Sequence, residues 1–78
     1  MNMQRRKRIE KVGRQLEELI EEITAIQEEE EEAYDNLPES LQESERGIAI
    51  YNAAEALADA VDGLEDANEL LLEAIGEQ

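Results

Sequence analysis

The stretch Leu37-Pro38-Glu39-Ser40-Leu41-Gln42-Glu43-Ser44-Glu45-Arg46-Gly47 separates two long segments of helical pattern, and its reading decides the fold. Pro38 disfavours helical geometry at Leu37 and suits the first turn of a new helix. Ser44 fits the N-cap of the helix that follows, with Ser40 as the alternative, and 38–43 has room for one short helical turn. The spacing predicts a first helix over about 4–35, a polar turn over about 36–44 and a second helix over about 45–75.

Upstream, with Ile9 at heptad position a, the a and d positions read Ile9, Val12, Leu16, Leu19, Ile23, Ile26, Glu30, Ala33 and Leu37. Eight of these nine are apolar, where a composition of 41% would give about four. Downstream, the seam reads Ile50, Ala54, Leu57, Val61, Leu64, Asn68, Leu71 and Ile75, with Ala53, Ala60, Ala67 and Ala74 recurring beside it. Leu70, Leu71 and Leu72 together sweep roughly 200° of helix surface, more than one neighbour covers. Ile20, Ile48 and Tyr51 also fall outside the seam, so each helix is expected to meet more than one other. The expected fold is all-α: an antiparallel two-helix hairpin, coiled-coil-like, assembling into a helical bundle.

Charge agrees with that pairing. Residues 1–14 carry six bases and one acid, whereas 15–78 carry one base, Arg46, and 21 acids. Folding near residue 42 sets the basic 5–14 segment against Glu69, Glu73 and Glu77. An antiparallel pair of first helices centred near Leu19 brings Arg8 to Glu30 and the basic head to the Glu28–Glu32 run. Two hairpins in a four-helix bundle satisfy both alignments. Asn68 in the seam is expected to fix register, Glu30 to need a partner such as Arg8 or Arg46, and Gly63 to mark a close contact.

At 78 residues the chain is a single domain near the lower limit for one hydrophobic core, and with no cysteine or histidine it has neither a disulfide nor the usual zinc ligands. Oligomerisation is the remaining source of stability, so a homo-oligomer is expected. No apolar run is long enough to span a bilayer, and the basic start lacks the apolar stretch of a signal peptide, which reads as a cytosolic protein. The acidic surface repels nucleic acid and anionic membranes and favours basic partners. Glu28–Glu32 lacks the ligand spacing of a calcium loop and reads as a solvated face, so no metal or cofactor is expected. No nucleophile stands beside a base, and an enzyme is not expected.

The varied hydrogen-bonding chemistry of the chain gathers around Arg46. Tyr34, Asn36, Ser40, Gln42, Ser44, Tyr51 and Asn52 all lie within twelve residues of it, among them both tyrosines and both serines. One reading is a ligand site. A helix N-terminus with free N–H groups, a guanidinium and serine hydroxyls would hold a phosphate, and a tyrosine ring would stack on a base. The other is structural: the serines cap helices, Arg46 pairs with a nearby carboxylate, and the tyrosines fill the bundle end.

The stretch Tyr34 to Gly47, followed by Ala/Leu/Glu heptads, resembles a group of very short acidic helical proteins of phages and prophages of Gram-positive bacteria, the specific part being Asn36–Gly47. The resemblance implies an accessory phage protein acting in the host bacterial cytosol, with counter-defence as a frequent role of such proteins. Three functional expectations follow. The first is sequestration of a nucleotide second messenger of bacterial immunity at a turn-end or intersubunit site. The second is an acidic inhibitor that mimics the charge of DNA and occludes a host defence protein. The third is a structural coiled coil in which the turn serves only as a turn.

Overall fold

The computed structural model describes residues 1–76. These form three helices, α1 (Met3–Asp35), α2 (Glu39–Gln42) and α3 (Glu45–Gly76), with no strand among the described residues. The helix ends follow from local chemistry. Asn2 lies in extended backbone and its side chain accepts from the Arg5 N–H at 2.8 Å, filling one of the free amides of the first turn. At the far end the Leu37 N–H turns back to the Tyr34 carbonyl at 3.1 Å, a tightened last turn ahead of Pro38. The Pro38 carbonyl then accepts from Leu41 and Gln42, which makes α2 a single turn.

Each long helix spans about 50 Å at 1.5 Å per residue, yet the whole molecule measures 58 × 15 × 13 Å. Consequently α3 runs back alongside α1. Tyr34, in the last turn of α1, meets Tyr51 near the start of α3, and Gly13, near the start of α1, faces Asn68 toward the end of α3.

The face of α1 turned to α3 differs from the expected a/d stripe. Half-buried residues are the a column (Ile9, Leu16, Ile23, Glu30, Leu37), the e column (Arg6, Gly13, Ile20, Gln27, Tyr34) and Thr24. The d column is exposed, with Val12 at 45%, Leu19 at 48% and Ile26 at 45%. Gly13 explains part of the choice: a Cβ there would stand 3.3 Å from Asn68 Oδ1, so a bare backbone gives the seam asparagine room. Ile20, expected outside the contact, lies within it. On α3 the half-buried or buried column is the expected one, from Ile50 to Ile75. Leu71 is half-buried while Leu70 (65%) and Leu72 (60%) point outward.

Two glycines correct the sequence reading. Gly63 is exposed and a Cβ built on it meets nothing within 4 Å, so no close contact exists there among the described residues. Gly47, given no role of its own, is one of three buried residues of α3. A Cβ on it would lie 2.5 Å from the Leu41 carbonyl oxygen and closer still to that of Gln42, so α2 rests directly on the backbone of α3.

The core is thin. Ala54 and Val61, each 8% exposed, are its buried apolar residues, and α1 contributes none. The accessible surface is 5991 Å², against about 4,800 Å² for a compact monomer of this mass. Among the described residues no helix is long and apolar enough to cross a membrane. Glu77, named above as facing the basic head, lies outside the described residues.

Candidate functional site

The turn end of the helix pair is built by hydrogen bonds that consume much of its polar chemistry. Gln42, half-buried, donates through Nε2 to the Tyr34 and Leu37 carbonyls, both at 3.3 Å, and so closes the C-terminal end of α1. The Ser44 hydroxyl donates to the Leu41 carbonyl and accepts from the Gly47 N–H at 3.3 Å, which makes it the N-cap of α3. Two of the polar groups read as ligand-binding are thereby engaged within the turn.

The tyrosines do come together. Their ring centroids are 5.6 Å apart with planes tilted by 58°, within the range of favourable aromatic pairs. A cleft of about 430 Å³ opens beside them, lined by Glu31, Tyr34 and Asp35 of α1 and by Tyr51, Ala54, Glu55 and Ala58 of α3. A smaller hollow of about 240 Å³ also borders both rings and is lined by Gln42, Glu43 and Ile48. Asn36, Ser40, Arg46 and Asn52 are exposed and line neither space. Of the eight residues read from the sequence, the structure gathers Tyr34, Tyr51 and Gln42 at these cavities, while Ser44 caps α3.

Three carboxylates line the larger cleft: Glu31, from the run read as a solvated face, and Asp35 and Glu55. The signal for them was helical spacing: Glu55 lies one turn beyond Tyr51, and Glu31 one turn before Tyr34. The charge of Glu55 acts on Tyr51. The neighbouring Glu55 carboxylate, as hydrogen-bond acceptor and as negative charge, raises the pKa of the Tyr51 phenol above 10.0.

A cleft lined by two tyrosines and three carboxylates suits a cation. Ring faces and carboxylates both attract positive charge, and both repel phosphate. Among the described residues no group of three or more acidic, histidine or cysteine side chains is arranged to hold a metal ion. A cleft of about 430 Å³ has room for an extended organic cation of the size of a lysine or arginine side chain. Comparison with protein-family models, with curated proteins and with solved structures returns no match.

Proposed function

We propose that this chain is a non-enzymatic binding protein, a helical hairpin assembled with copies of itself, that captures basic side chains of a protein partner in the tyrosine-lined acidic cleft. One observation carries the reading: Tyr34 and Tyr51 pack 5.6 Å apart and share their cleft with Glu31, Asp35 and Glu55. The excess of 21 acids over one base in residues 15–78 provides the long-range field that steers a basic surface toward it. Within the phage resemblance, this is the acidic-inhibitor role, in which a host protein that normally grips DNA is occluded instead.

A nucleotide-type signal suits the turn less well. Ser44 and Gln42 spend their hydrogen bonds on the backbone, and Arg46 stands apart from the cavities while carboxylates line them. The test is capture of a basic host protein at low salt. Binding should weaken steeply with added salt and fall at least tenfold in Glu31→Gln/Glu55→Gln, since each lost charge contact at a partly desolvated site is worth roughly 1 kcal/mol or more. Binding indifferent to both salt and these substitutions would defeat the reading.

A further inference from the structure

The d column of α1 is exposed. Because positions d and e flank position a on opposite sides, Val12, Leu19 and Ile26 lie on the side of the helix pair away from the Tyr34–Tyr51 cleft. Each is close to half exposed, and together they form an apolar stripe recurring every seven residues that the described residues leave uncovered. At its basic end a cavity of about 290 Å³ lies between Arg5, Arg8, Ile9, Val12 and Leu71.

We propose that a second copy of this chain covers this stripe, antiparallel and related by a twofold axis through Leu19. Such an axis sets Leu19 on the partner's Leu19 and Val12 on the partner's Ile26, so the apolar column meets its own image in register. The polar flank beside it reads Arg8, Gln15, Glu22 and Glu29. The same axis sets Arg8 opposite the partner's Glu30 and within one residue of the partner's Glu29, and Gln15 within one residue of the partner's Glu22, so along this flank no like charges meet. A parallel pairing would set Arg8 beside the partner's Arg8 and Glu29 beside the partner's Glu29. Docking α3 on this stripe would instead lay a helix whose only base is Arg46 along the acidic middle of α1. Antiparallel pairing of α1 with itself is the arrangement that charge selects.

Area agrees. The exposed surface exceeds that of a compact monomer by roughly 1,200 Å², more than the ~800 Å² that each partner buries in a standard interface. The directions from α1 to α3 and to the second copy differ by roughly 80° around α1, close to the right angle between neighbours in a four-helix bundle. The inference rests on the self-assembly part of the function proposed above and names its face.

The chain has no cysteine, so single cysteines report the geometry without background. Leu19→Cys should give a covalent dimer on mild oxidation. Val12→Cys and Ile26→Cys should each remain uncrosslinked alone and should crosslink when mixed, since disulfides require Cα atoms about 4.4–6.8 Å apart. Self-crosslinking of Val12→Cys in the folded protein would overturn the antiparallel register. Sedimentation of the unmodified protein at tens of micromolar should give twice the 8.8 kDa chain mass or a higher multiple. A species at the chain mass would overturn the proposal even if a cysteine variant fails to fold, while leaving the cleft reading standing. A multimer in which neither Leu19→Cys nor the mixture crosslinks would overturn the proposed face.

Discussion

Gly47 lies so close to the Gln42 carbonyl oxygen that no side chain fits between α2 and α3. The turn is thus held by backbone against backbone, and Gly47 is the residue through which the helix-breaking stretch locks onto the second helix. Gly47→Ala should destabilise the protein by ~1–3 kcal/mol despite the better helix propensity of alanine, because carbonyl oxygens cannot swing aside as side-chain ends do. Chemical denaturation followed by circular dichroism checks this; an unchanged or higher midpoint would show that α2 does not rest there.

Ser44 caps α3 through its bond from the Gly47 N–H. Ser44→Ala should cost about 1 kcal/mol, and Ser44→Asp should recover most of it, because an aspartate supplies the same acceptor at a helix N-terminus. Rescue by aspartate separates capping from phosphate binding, which an added negative charge would oppose. The same denaturation experiment reads both variants.

Tyr51 should titrate late. Its phenol is held above 10.0 by Glu55, so the folded state keeps the proton longer than the unfolded chain does. The sign follows: this contribution to stability is fully present below the ordinary tyrosine value, declines once the unfolded chain begins to ionise, and is lost as pH rises through the folded value. In Tyr34→Phe, which leaves Tyr51 as the single phenol, phenolate absorbance should rise with a midpoint above 10.0, and adding Glu55→Gln should move it down. A midpoint unmoved by Glu55→Gln would remove Glu55 from the cleft wall.

The helical character of the chain was legible because two heptad registers and a proline-bearing interruption all point the same way. What the pattern left open was the face of α1. Three adjacent columns, e, a and d, all carry apolar residues, and a and d are the most uniformly apolar, so these two together read as the seam. The structure turns the e column inward instead, where Gly13 admits Asn68 and Tyr34 reaches Tyr51. A glycine has no hydropathy to signal a contact made by the absence of a side chain, and for the same reason Gly47 was passed over. The tyrosine pair was legible as a cluster of rare residues around the turn. The carboxylates beside it were not, because among 22 acids nothing in composition distinguishes three that line a cleft from those that face solvent.

The most direct test of the central claim is an amide NMR titration of the protein with an arginine-rich peptide at low ionic strength. The account predicts saturable shifts concentrated on Glu31, Tyr34, Asp35, Tyr51 and Glu55, abolished in Tyr51→Ala/Glu55→Gln. Shifts spread evenly over every acidic residue, or shifts that survive this double substitution, would contradict it.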